Sequence, residues 1–100
     1  MVTGLLGQRL IERRLRETSD RLRSLRAELA MVDEQFDALN DDAENLGLRA
    51  LVSETPGTDV EYREARLHAE AMSRHRDGIV RSIAQLEVRQ DELLDRLSQR

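Results

Sequence analysis

Residues 11–50 read IERRLRETSDRLRSLRAELAMVDEQFDALNDDAENLGLRA. Two rows recur every seven residues within this stretch. One is Leu15, Leu22, Leu29, Phe36, Ala43 and Ala50; the other is Ile11, Thr18, Leu25, Val32, Leu39 and Leu46. Eleven of these twelve residues are apolar, and the steps between rows alternate four and three. That is a coiled-coil seam held for about five heptads. No period-two alternation competes with it, and Ala, Leu, Arg and Glu, all good helix formers, dominate.

The pattern stops at Ser53-Glu54-Thr55-Pro56-Gly57-Thr58. Proline disfavours helix at the residue before it, and Thr58 with Glu61 three residues on makes a capping box. Helix one is therefore expected over about 5–53, a turn at 54–58 and helix two over about 59–98. The second helix repeats the seam with Ala65, Met72, Ile79, Leu86 and Leu93 beside Tyr62, Ala69, Arg76, Ile83, Gln90 and Leu97. Arg76 and Gln90 interrupt it. Gly47 and Gly78 each cost roughly 1 kcal/mol against alanine in a helix, so local looseness is expected at both. A turn near residue 56 sets Leu22 opposite Gln90, Phe36 opposite Arg76 and Leu46 opposite Ala65 or Arg66. The expected fold is all-α: two long helices in an antiparallel coiled-coil hairpin, one domain over 1–100, pairing into a four-helix-bundle dimer.

Composition agrees. The 100 residues include 36% charged and 39% hydrophobic side chains, two aromatics (Phe36 and Tyr62) and no cysteine. A disulfide scaffold and thiolate metal sites are excluded, and a reducing, cytoplasmic compartment is the expectation. All 16 basic residues are arginine, a skew that fits a GC-rich bacterial genome. No segment has the roughly 18 to 20 apolar residues of a membrane span. The first 16 residues, with four arginines, lack a signal peptide's continuous apolar block and cleavage site.

Apolar residues remain outside the seam. Val2, Leu5, Leu6 and Leu10 precede it, in a segment with no counterpart on helix two. Met31, Leu48, Leu51, Val52, Val80, Val88 and Leu94 also lie off it. A lone two-helix hairpin is marginal, and self-association or docking on another protein would cover them. Charge runs in blocks: +4 over residues 1–27, −9 over 28–61 and +1 over 62–100. Beyond an ordinary solvated face, such blocks suit an acidic tip for a basic partner or a head-to-tail pairing of two hairpins.

Chemistry finds little footing. No Ser/His/Asp or Cys/His arrangement and no Gly-rich phosphate loop occurs, so no catalytic residue and no cofactor is expected. Glu64 and His68 have an i, i+4 spacing that can chelate a metal, but no Glu-x-x-His pair occurs, and His68 and His75 read as histidines flanking the seam. The stripe Arg9, Arg13, Arg16 and Arg23 is basic, yet the net charge of −4 and the lack of stacking aromatics disfavour nucleic acid. A membrane-surface role for the first segment fits only loosely. Arg76 is expected to lay its stem on Phe36 and pair with Asp33, Glu34 or Asp37, fixing register; a small ligand near it is the alternative.

Glu61-Tyr62-Arg63-Glu64-Ala65-Arg66 resembles the Glu-Tyr-x-x-Ala-Arg stretch after the tip of the coiled-coil domain in Gre-type transcript-cleavage factors. That resemblance implies a hairpin entering RNA polymerase tip first. The family's acidic pair would fall at Thr55 and Thr58, so cleavage stimulation is not implied. Actinobacterial anti-sigma hairpins that bind a cyclic dinucleotide are similar in architecture, but only Ser73 and Arg76 reproduce an interval of their motif. WxG-type secretion substrates are similar in size alone, for there is no tryptophan. The functional expectation is a non-enzymatic interaction and oligomerisation module. Its partners would be itself or, as the alternative, RNA polymerase or a sigma factor. The expected contact residues are Val2, Leu5, Leu6 and Leu10 on the apolar segment and Asp41, Asp42, Glu54, Asp59 and Glu61 on the acidic turn half.

Overall fold

A computed structural model describes residues 2–53 and 55–99, the side chains of residues 2, 3 and 5 excepted. It is an all-α helical hairpin. Helix α1 spans Val2–Ser53 and α2 spans Pro56–Ser98, and no strand occurs among the described residues. Neither helix is long and apolar enough to cross a membrane.

The join between the helices is built by two threonines. Thr55 is the N-cap: its Oγ1 accepts from the Thr58 N–H at 3.4 Å, and its carbonyl accepts the first helical bond from Asp59 N–H at 3.3 Å. The Thr58 hydroxyl donates back to the Thr55 carbonyl at 2.9 Å. Helix α2 therefore begins at Pro56, three residues before the expected start at 59, and Thr58 stands inside the helix. Proline decides this. At the first helical position its missing N–H and fixed φ are no handicap, and the residue before it is already held out of the helical region.

The contacts gather into two compact units, where the sequence is read as one domain over 1–100. Unit 1 comprises Met1–Glu28 with Ile79–Arg100, and unit 2 comprises Leu29–Gly78. Unit 1 buries Leu22, Leu25, Ile79 and Leu93, of which Leu22 and Leu93 are 1% and 0% exposed. Among the described residues unit 2 buries only Val32, Ala43 and Ala69, with Phe36, Leu39, Leu46, Tyr62 and Met72 half-buried around them. Every one of these residues lies on the seam rows.

Three cross-helix contacts share one register, their residue numbers adding to 109. In unit 1, Gln90 Nε2 donates to Ser19 Oγ at 3.0 Å. In unit 2, the Arg76 guanidinium donates to Asp33, and the Tyr62 ring lies against Gly47. Both polar seam residues thus reach back one turn to a polar side chain at the seam's edge. Each is satisfied there, and among the described residues no buried side-chain nitrogen or oxygen lacks a partner. A Cβ on Gly47 would stand 2.9 Å from Tyr62 Cε1. Glycine at 47 is accordingly a packing requirement of the ring.

Candidate interaction surfaces

Two grooves of unit 2 take up three of the expected acidic residues. Asp42 and Glu61 meet across the helices of unit 2, in an open groove of about 490 Å³ floored by Leu39, Leu46 and Ala65. Asn45, Arg49, Glu64 and His68 complete its rim. Asp59 lines a different groove, with Gly47, Leu48, Leu51 and Tyr62, and is paired to Arg63 at 2.7 Å. Asp41 is exposed and lines neither. Glu54 lies outside the described residues. Asp42 lies on the heptad row of Arg14, Arg21 and Arg49, and Glu61 on that of His68, Arg89 and Arg96; residues of both rows line the first groove.

In unit 1, Leu6 and Leu10 are exposed and stack one turn apart in a shallow depression with Arg9, Glu12, Arg13 and Arg16. The side chains of Val2 and Leu5 lie outside the described residues. Exposed apolar side chains off the seam also include Met31, Leu48, Leu51, Val52, Val80, Val88 and Leu94, all expected, together with Val60 and Leu67. These last two follow from the helix wheel of α2 and were missed because they sit singly among charges.

Ion pairs on both units are exposed. Arg26 reaches Glu87 across the helices of unit 1 at 3.3 Å, with both side chains more than half exposed, a class worth about 0–1 kcal/mol. Arg76 is more closely held. Its pKa is raised above the ordinary arginine value, first by the hydrogen bond to Asp33 and then by the charges of Asp33, Asp77 and Asp37. It pairs with Asp33 and lies 3.9 Å from Asp77. A raised pKa stabilises the fold below the ordinary arginine value and is lost only as pH rises through the elevated one. Its contribution is therefore constant around neutrality.

Among the described residues no group of three or more His, Cys, Asp or Glu side chains could hold a metal ion. Glu64 and His68 do share the unit 2 groove. No protein-family model, curated protein or solved structure matches the chain.

Proposed function

We propose that the chain is a non-enzymatic coiled-coil module that works through protein–protein contacts, first of all with itself. The observation that carries this reading is surface. The chain exposes 7555 Å², where a compact monomer of 11.5 kDa would expose about 5,800 Å². The excess of about 1,750 Å² exceeds the ~800 Å² that each partner contributes to a standard interface. Part of it is apolar. Leu6 and Leu67 are 61% and 62% exposed, and Leu51 and Val52 are 76% and 86%. Pairing two hairpins into a four-helix bundle would cover such side chains, in a bacterial cytoplasm where a cysteine-free chain is at home.

Sedimentation velocity across concentration tests this. A dimer forming at micromolar concentration is expected, and Leu6→Ser with Leu10→Ser should weaken it if the α1 segment takes part. A folded monomer at every concentration up to about 100 µM, well above micromolar affinity, would sink the self-association reading.

A second reading, regulation of transcription by binding RNA polymerase or a sigma factor through the acidic tip, is favoured by the exposed Leu51 and Val52 beside the turn. Titration against purified polymerase distinguishes it. Binding that Asp59→Arg with Glu61→Arg abolishes would support it, and no binding at low salt would reject it.

A further inference from the structure

The two units carry opposite charge. Unit 1 holds eleven arginines and eight acids, net +3; unit 2 holds five arginines and twelve acids, net −7. The contrast persists, though smaller, on one pair of heptad rows. In α1 that row carries Arg14, Arg21 and Glu28 in unit 1, and Asp42 and Arg49 in unit 2. In α2 it carries Arg89 and Arg96 in unit 1, and Glu61, His68 and His75 in unit 2, so the two rows together sum to +3 in unit 1 and −1 in unit 2.

Within unit 1 this arrangement works against the fold. The register set by Ser19 with Gln90 brings Arg21 to the level of Arg89, and Arg14 to the level of Arg96. Like charges flanking a seam repel, where antiparallel helices gain from opposite ones. Arg89 is relieved by Glu92 at 3.6 Å on its own helix. Arg14, Arg21 and Arg96 have no carboxylate within ion-pairing distance among the described residues. In unit 2 the same rows border a groove with an apolar floor, whose rim sets three carboxylates, Asp42, Glu61 and Glu64, against one arginine, Arg49, and His68. None of the three carboxylates has an ion-pair partner among the described residues.

We infer that the arginine edge of unit 1 (Arg14, Arg21, Arg89 and Arg96) docks on the acidic groove of unit 2 in a second copy of the chain. Each copy then offers one edge and one groove, and two copies satisfy both reciprocally. Complementary potentials of this kind steer encounter and fix orientation more than they add affinity. The apolar floor of Leu39, Leu46 and Ala65 gives the arginine stems something to cover. The inference rests on the self-association reading above and adds to it which surfaces meet and in what direction.

The test is a charge swap with mutual rescue, read by sedimentation on the full chain. One variant carries Arg14→Glu, Arg21→Glu and Arg96→Glu, the other Asp42→Arg with Glu64→Arg. All five positions are exposed, and circular dichroism checks that each variant keeps its helicity. Each variant alone is expected to associate at least about tenfold more weakly than the parent, since both of its contact surfaces then have one sign. An equimolar mixture is expected to recover affinity to within about threefold of the parent, because every edge again meets a groove of opposite charge. Variants that self-associate as tightly as the parent would overturn the inference while leaving self-association intact. Folded variants that stay apart even when mixed would overturn it as well. A parent chain that is monomeric throughout would instead remove the reading on which it rests.

Discussion

The two units are built from one heptad pattern and differ in what fills it. Unit 1 buries four large aliphatic side chains, Leu22, Leu25, Ile79 and Leu93. Unit 2 buries a valine and two alanines, and relies on half-buried Phe36, Leu39, Leu46 and Met72. Buried methylene groups contribute roughly 0.8 kcal/mol each, so the same length of seam stabilises unit 1 considerably more. Unit 2 also carries a net charge of −7 against +3, and self-repulsion weakens it further. A periodic sequence can thus hold a uniform fold with an uneven distribution of stability. Backbone amides in unit 2 are expected to exchange faster than those in unit 1, and equal protection across Leu22 to Leu46 would break the comparison.

The largest expected effect is on Leu93. It is wholly buried, and Leu93→Ala should cost about 3–5 kcal/mol, the range for a leucine that leaves a cavity. The corresponding change at half-buried Leu39 in unit 2 should cost well under half of that, since part of its side chain already meets water. Urea denaturation of the two variants measures the difference. Equal costs would mean that the half-buried leucines of unit 2 are covered in solution, which is what a second copy in the groove would do.

Arg76 comes next. Arg76→Ala removes the partner of Asp33 and opens the seam of unit 2, so a lowered midpoint in thermal denaturation is expected. Arg76→Leu restores apolar volume at a seam position and should equal or exceed the parent in stability, as replacement of ionic seam residues often does. If the ion pair fixes register, the leucine variant should lose it: disulfide trapping between introduced cysteines at neighbouring registers should spread over more than one pair. A single trapped register would assign that role to the rest of the seam.

The sequence made the seam legible because burial itself imposes the seven-residue period. Leu22, Val32, Ala43, Ile79 and Leu93 are buried where the rows place them. The register was legible to within about one turn, because a short proline turn leaves little slack. The helix start was not, since Thr55 and Thr58 are equivalent as capping residues and only the proline between them separates the cases. Gly47 read as a weak point because nothing local says that Tyr62 will lie against it. The grooves were hidden for a related reason: which carboxylates share one depends on cross-helix contacts, and Glu64 and Arg49 join Asp42 and Glu61 only once the two helices are paired.

The cap offers a smaller test. Thr55→Ala removes the acceptor for the Thr58 N–H and should cost about 1 kcal/mol, whereas Thr55→Ser keeps the oxygen and should cost little. Thr58→Ala leaves the cap in place and should cost only a few tenths. A larger loss at Thr58 than at Thr55 would restore the start of α2 to the later position.

The smallest net change is expected at Gly47, where two effects of similar size oppose. Alanine gains about 1 kcal/mol of helix propensity over glycine. Its Cβ would also stand 2.9 Å from Tyr62 Cε1, closer than carbon atoms tolerate, so the ring must swing outward and give up its half-buried place. The variant should come out within about 1 kcal/mol of the parent, on the unstable side. The two effects separate in a cycle with Tyr62→Ala. Without the ring, the three closest contacts of the added Cβ are gone and Gly47→Ala should stabilise by the propensity difference of about 1 kcal/mol. The coupling then measures how much of unit 2 rests on one aromatic ring against one glycine, in place of the leucines that unit 1 uses. If Gly47→Ala stabilised equally in both backgrounds, the ring would not be seated on Gly47 in solution. The thinner seam of unit 2 would then have lost the contact that most distinguishes it.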